Sequence, residues 1–262
     1  MRTTSSPCLA LVFLAFACAS PGGAKPAEQS RPDEVRRWTS WRAPSGLAPA
    51  ARVALAYKEK EAVVRRLLAD AGLPYPPVRV LLRVFKEESV VEVWAAGKAS
   101  EALVRVAVYL ACDVPPEPGP KSRQGDGRVP EGFYRIDGLN SASAFHLSMH
   151  VSYPNAWDRR RSTARALGGD IMIHGNCVSI GCVAMTDERI QELWVLVEPV
   201  IRRGGEVHVA SFPGRDLAGY IAGSKDPELA SFWKTLKEGN DRFEATRRIP
   251  KPILGEKGYT FR

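Results

Sequence analysis

The stretch HGNCVSIGCVAMTD, residues 174–187, decides how the rest of the chain is read. Just before it, Ile171-Met172-Ile173 is an apolar run that predicts a buried strand delivering His174. Gly175 and Gly181 allow tight turns, and Cys182 stands at the end of the loop they bracket. Thr186 or Asp187 is expected to cap the next helix, because Ile190, Leu193, Trp194 and Val197 recur at helical spacing. A thiol in such a loop becomes a thiolate when an imidazole is near and backbone N–H groups point at it. Cys182 therefore reads as a nucleophile with His174 as its base, and the N–H groups freed by Gly181 could form an oxyanion hole. By spacing alone, a buried cysteine and a satisfied core histidine fit as well. A zinc site fits worse, since Cys177 and Cys182 are not a CxxC pair and no second cysteine cluster exists.

Working outward, Glu206 to Ser211 predicts a last strand after Gly204-Gly205. Upstream, residues 51–71 predict a helix with Val63, Val64, Leu67, Leu68 and Ala71 on its apolar face, stopped by Gly72 and Pro74. Val78, Val80, Leu82 and Val84 alternate with Arg79 and Arg83, and a charged turn, Lys86 to Ser89, leads to a second strand at Val91 and Val93. Leu103 to Leu110 predicts a third. Residues 115–132, PPEPGPKSRQGDGRVPEG, are nearly all turn formers and charge and read as a surface loop. Beyond it, Phe145, Leu147, Met149 and Val151 are expected on one strand face, with His146 and His150 on the other. After residue 211 a short amphipathic helix near Phe232, Trp233 and Leu236 is expected to give way to Pro-rich coil.

The 262 residues are 45% hydrophobic and 25% charged, which excludes a disordered or fibrous chain. The net charge of +8 is spread along the sequence. It speaks for an anionic envelope surface or acidic polymer at least as much as for nucleic acid, which is not expected as a partner. Arg2 precedes an uncharged run from Cys8 to Cys18, too short to span a bilayer and suited to a signal-peptide core. Residues 1–17 are therefore expected to be removed, with residues 18–50 a flexible tether. Cys18 is either the lipidated first residue of a membrane-anchored lipoprotein or part of a peptidase site. Export makes the internal cysteines, Cys112, Cys177 and Cys182, notable, because at least one is left over as a free thiol. A Cys177–Cys182 bond would silence the nucleophile. The preferred reading of Cys177 is an ordinary loop residue, with Cys177→Ser keeping most activity and Cys182→Ser abolishing it.

At this point the sequence resembles a known family. HGNCVSIGCVAMTD is similar to the signature of the L,D-transpeptidase catalytic domain of the YkuD type, an HG followed by S-x-G-C. PGPKSRQGDGRVPEGFYRI, FHLSMHVSYPNAWDR and GGDIMIHG resemble other segments of that domain, in order, over about residues 78–210. The resemblance implies an α+β fold, mainly β with short helices, preceded by a helical lead-in at 51–77. The catalytic domain would span 78–211 and a C-terminal helical and coil extension 212–262. It implies an exported, periplasmic enzyme that acts on peptidoglycan stem peptides at the L-centre carbonyl of diaminopimelate, through an acyl-enzyme on Cys182. His174 would be the base. Gly181 and Cys182 N–H groups would hold the oxyanion, while Gly175 and Ser179 shape the loop. His146 is a substrate-side candidate; His150 and His208 are weaker ones. Neither cofactor nor metal is implied.

Family members commonly carry Arg in G-C-x-R, whereas this chain has Ala184. That departure and the tail FWKTLKEGNDRF resemble the YafK-like subgroup, in which the fold can hydrolyse a lipoprotein–peptidoglycan link. Arg159 or Arg165 could supply the missing charge. The contrasting expectation is a non-catalytic wall-binding lipoprotein module, which would have no need to keep both Cys182 and His174.

Overall fold

The computed structural model describes residues 43–255 and 258–261, so the export segment, Cys18 and the tether up to residue 42 lie outside the described residues. The alternation after Val78 forms strand β1 (Arg79–Phe85), which pairs antiparallel with β2 (Val90–Ala96) across the turn at 86–89, and β3 (Val104–Leu110) extends the hairpin. β4 (Gly132–Asn140), β5 (Ser148–Val151), β6 (Met172–His174) and β7 (Val183–Ala184) follow, then β8 (Val207–Phe212). All eight form one sheet in the order β3-β2-β1-β8-β4-β5-β6-β7. β8 thus lies at the centre. It runs parallel to β1 and antiparallel to β4, joining the N-terminal hairpin to the half that carries the site.

One sheet face packs on two helices. α1 (Pro49–Asp70) starts with Pro at its first position and ends at Gly72, whose φ of +71° supplies the left-handed turn after the last helical residues. It buries Ala56, Val64 and Leu68, while Val63, expected on the apolar face, is 41% exposed. α2 (Ala156–Arg161) is a single capped turn and a half on the other face. α3 (Asp187–Arg202) is capped by Thr186, whose hydroxyl accepts from the Arg189 N–H at 3.3 Å. It is held between α1 and the sheet, so Trp194, Val195 and Leu196 are all buried. The one-sided helical period predicts only part of that burial, because a helix covered on two sides must bury more than one stripe.

The opposite face has its own core, and here two expectations change. The helix expected near Phe232 is present but longer, α5 (Pro227–Thr246), preceded by α4 (Leu217–Gly223), and the Pro-rich end is not coil but the hairpin β9 (Pro252–Leu254) with β10 (Tyr259–Phe261). Phe232, Trp233, Leu236 and Phe243 of α5 join Leu81, Phe85, Trp94 and Phe212 in a second buried cluster. Arg83, which alternation points outward, is therefore only 3% exposed. It pairs with Glu92 at 2.9 Å and Glu244 at 2.7 Å beneath α5. The fold is the expected α+β one, with three of its helices long.

The 115–132 segment is not a loose surface loop. Lys86 and Glu131, both fully buried, pair at 2.8 Å. Lys86 Nζ also donates to the carbonyls of Glu117 and Gly119, and Glu131 accepts from the Gly119 N–H and from Trp233 Nε1. A charge pair taken out of water persists only when its remaining hydrogen-bonding capacity is met, as it is here. Further along, the Asp126 carboxylate accepts from the N–H groups of Ser122, Arg123 and Arg128 and pairs with Lys121 at 2.7 Å. Burial works against its charge, yet these donors hold its pKa down at about 2.

Candidate active site

β6 and β7 run side by side and parallel, with Ile173 opposite Val183 and His174 opposite Ala184. This register sets Cys182 beside Met172, whose N–H donates to Cys182 Sγ at 3.4 Å. Alternation along both strands sends Ile173 and Val183 into the α3 core and puts Met172, His174 and Cys182 on the other face. Pairing of two short strands thus brings together the two residues that the sequence separates by eight positions.

The His174 ring is 2% exposed, with Nδ1 2.6 Å from the Gly175 carbonyl oxygen. That carbonyl can only accept, so Nδ1 carries the hydrogen and Nε2 is left as the basic nitrogen. The Phe145 ring lies against the imidazole with centroids 4.6 Å apart. Burial pushes the imidazole below its ordinary pKa, only partly offset by the Gly175 carbonyl and Asp113. Burial also pushes the Cys182 thiol up, while the Met172 N–H and the Lys121 charge pull it down. The resting pair is therefore a neutral thiol and a neutral imidazole.

Ser179 organises the loop that ends at Cys182. Its N–H donates to Asp113 Oδ2 at 2.7 Å, and its Oγ donates to the Cys182 carbonyl at 2.8 Å. The same oxygen accepts from the N–H groups of Gly181 at 3.1 Å and Cys182 at 2.8 Å. The two expected oxyanion donors are thus already engaged by Ser179. Gly181 has φ of +135°, and a Cβ there would sit 3.2 Å from the Arg128 carbonyl oxygen, so glycine is required on both counts. At Gly175 a Cβ would meet Asp187 Oδ1 at 2.6 Å, which explains the HG pair. Asp187 in turn accepts from the N–H of Asn176 at 2.8 Å, fixing the start of the loop to α3. Asn176, Cys177 and Asp170 all hold left-handed backbones, a concentration of strain around one thiol.

Cys177 is not an ordinary loop residue: it forms a disulfide with Cys112, and Cys182 is the free cysteine among the described residues. The bond ties the loop to the end of β3, where Cys112 N–H already donates to the Ala184 carbonyl. The odd count of three cysteines carried this signal, because a reactive one leaves two to pair. His146 is also corrected. Its φ of +69° breaks the expected alternation before β5 begins, so the side chain turns inward, 8% exposed, with Nε2 3.1 Å from Gln191 Nε2 of α3. Phe145, expected in the core, is the residue placed against His174. His150 stands opposite Met172 on the same face as Cys182 and pairs with Asp137, whereas His208 sits on β8 beside Glu206. Ala184 is fully buried. Lys121, Asp113 and Phe145 were not singled out by the sequence. Lys121 and Phe145 lay in quoted motifs, and Asp113 gave no local signal.

No group of three or more His, Cys, Asp or Glu side chains among the described residues is arranged to hold a metal ion. No described helix is long and apolar enough to cross a membrane.

Residues 79–209 match the L,D-transpeptidase catalytic domain, YkuD. The chain is 36% identical over 174 residues to the Escherichia coli K12 protein named "Putative L,D-transpeptidase YafK", covering 65% of this chain and 69% of that one. The O157:H7 counterpart matches equally. Among solved structures, the helical cell shape determining protein Pgp2 of Campylobacter jejuni aligns at 16% identity and a TM-score of 0.42, covering 74% of this chain and 80% of that one. Bd1075 of Bdellovibrio bacteriovorus aligns at 18% identity and 0.40, covering 69% and 78%.

Proposed function

Since the chain belongs to the L,D-transpeptidase catalytic domain family, we propose that Cys182 and His174 carry out acyl transfer on peptidoglycan stem peptides. The observation that carries the reading is the pairing of β6 with β7. It sets the free thiol on the same sheet face as an imidazole whose Nδ1 is already committed to the Gly175 carbonyl. Cys182 Sγ attacks the carbonyl at the L-centre of diaminopimelate. His174 Nε2 takes the thiol proton and returns it to the leaving amine, and an amine or water then resolves the thioester. The Gly181 and Cys182 N–H groups serve the oxyanion only after Ser179 Oγ gives them up, so the substrate oxygen replaces a hydroxyl already bound there. A peptidoglycan substrate supports a location in the cell envelope, outside the cytoplasmic membrane.

Ala184 offers no cation to a donor carboxylate. This favours cleavage of a branched linkage at diaminopimelate, such as a lipoprotein–peptidoglycan link, over formation of 3–3 cross-links. The test is incubation of the metal-free protein, with the Cys112–Cys177 disulfide intact and Cys182 as the free thiol, with disaccharide-tetrapeptides and with lipoprotein-linked muropeptides, followed by mass spectrometry. A mass adduct on Cys182, absent in Cys182→Ser, is expected, with release of the branched adduct. If every stem-peptide linkage stays untouched, the enzymatic reading fails. Dimers from tetrapeptide alone, without release of the branched adduct, would return the enzyme to cross-link formation.

A further inference from the structure

Helix α1 precedes residues 79–209, the segment that matches the catalytic domain, yet it reaches the site. Ala56, Val64 and Leu68 seat it in the core beside α3. The Tyr57 hydroxyl donates to Glu198 at 2.8 Å, and Lys60 lies 3.7 Å from Glu188, so polar contacts fix it there as well. Arg52, near the start of the helix, is spent on backbone carbonyls. Its Nε donates to the Leu47 carbonyl at 3.0 Å, and its Nη1 donates to the carbonyls of Ser143 and, at 2.9 Å, His146. One guanidinium thus ties both ends of the 143–146 turn to the helix.

That turn carries the groups that hold the imidazole. Ser143 Oγ accepts from the Phe145 N–H at 3.0 Å. The Phe145 ring lies against His174, and the Phe145 carbonyl accepts from the Gly175 N–H at 3.1 Å. Gly175 is the residue whose own carbonyl oxygen stands 2.6 Å from His174 Nδ1. Contacts therefore run without a gap from the guanidinium through the turn carbonyls to Phe145, and from Phe145 to both the ring and the backbone of the base. Core packing is a weak substitute for this hold, because Phe145 is 38% exposed. His146 has φ of +69°, and a left-handed conformation at a residue other than glycine persists only where its surroundings over-determine it. Arg52 on its carbonyl and Gln191 on its ring do so. A guanidinium suits this task, since its planar fork presents several donors in fixed directions where an ammonium is a point charge.

We infer that Arg52 is a positioning residue for the catalytic base: by holding the carbonyls of Ser143 and His146, it seats Phe145 over His174 and fixes the Gly175 backbone that orients the imidazole. The inference rests on the proposed role of His174, and it brings into the site a residue from the helix that precedes the matched domain.

The imidazole itself can be read. The chain has four histidines, so the His174 ring is assigned in an NMR titration by comparison with His174→Gln. That titration, kcat/KM for acylation of Cys182 against pH, and the denaturation midpoint are measured in the wild type, Arg52→Lys, Arg52→Gln, Phe145→Ala and the double variant Arg52→Gln/Phe145→Ala. Asp113, whose charge acts on His174, and Cys182 are unchanged in all of them. In Arg52→Gln the ring loses its cover, so the His174 titration and the acid limb of kcat/KM are expected to move up toward the ordinary imidazole value. Arg52→Lys should move them part of the way. On the plateau, kcat/KM should fall about tenfold or more in Arg52→Gln, as it does when a catalytic group is misplaced. The loss in the double variant should fall short of the product of the two single losses, because Arg52 acts through Phe145. Tyr57→Phe, which loosens α1 on α3 away from the turn, should lower the midpoint and leave the titration where it is.

A His174 titration and kcat/KM unmoved in the Arg52 variants, single losses that simply multiply, or an equal shift in Tyr57→Phe overturns the positioning role and leaves acyl transfer intact. An Arg52-dependent titration in a protein whose wild type never acylates overturns the acyl-transfer reading and keeps the placement of the imidazole by Arg52. If Arg52→Gln does not fold, Arg52→Lys carries the same readings.

Discussion

At the residue scale, the chemistry turns on how burial sets two protonation states. His174 sits under Phe145 and is 2% exposed, so its charged form is disfavoured and its pKa falls below the ordinary imidazole value. Cys182 is shielded in the same way and its pKa rises. The signs act together. Lowering pH must go further to protonate the base, and raising pH must go further to ionise the resting thiol. The pH profile of kcat/KM for acylation, which reports the free enzyme, should therefore be a broad plateau. Its acid limb is expected below the free imidazole value of about 6.5 and its alkaline limb above the free thiol value of about 8.5. An acid limb at or above the free imidazole value would mean that His174 is not the group whose proton is being read.

Between residue and fold stands the catalytic loop, an element held from several sides. The Cys112–Cys177 disulfide pins it to β3, Asp187 pins it to α3, and Ser179 draws its own N–H groups inward. The disulfide closes a ring across a sequence separation of 65, for which chain entropy alone gives about 4 kcal/mol. Replacing either cysteine by Ser is expected to lower the denaturation midpoint and to reduce activity along with it. The expectation that Cys177→Ser is nearly silent is thereby reversed, and denaturant unfolding run beside the acylation assay checks it. The 115–132 segment depends in the same way on one buried pair. Glu131→Ala leaves Lys86 buried without its counter-ion, and the cost is expected to be about 3–5 kcal/mol in the denaturation midpoint. A midpoint unmoved by that change would show that the loop is anchored by something else.

Across the whole molecule, the sheet is covered on both faces, and the tail is a working part of that cover. Phe243 of α5 is 1% exposed and meets Trp94 edge-on at 5.0 Å. Phe243→Ala removes this contact and leaves a cavity above Arg83, so a loss of about 3–5 kcal/mol is expected on thermal or denaturant unfolding. A loss under about 1 kcal/mol would show that the tail is dispensable to the fold. The same cover forms one wall of a cavity also lined by Trp157, Arg160 and Arg161, through Leu229 and Phe232.

Local signals were enough for what is local. Alternation found β1, β2 and β3, helical spacing found α1 and α3, and HGNCVSIGC marked His174 and Cys182, because strand period, helix period and a glycine-bracketed thiol are each written over a few neighbouring residues. What the sequence left open depends on contacts between distant segments. Arg83 is buried because α5, some 150 residues later, lies over it. His146 faces inward because one left-handed residue precedes β5. Cys112 and Cys177 pair because β3 ends beside the catalytic loop. The thiol and imidazole share a face because two short strands pair in parallel. No window of the sequence contains those meetings; only the close packing of the whole chain decides them.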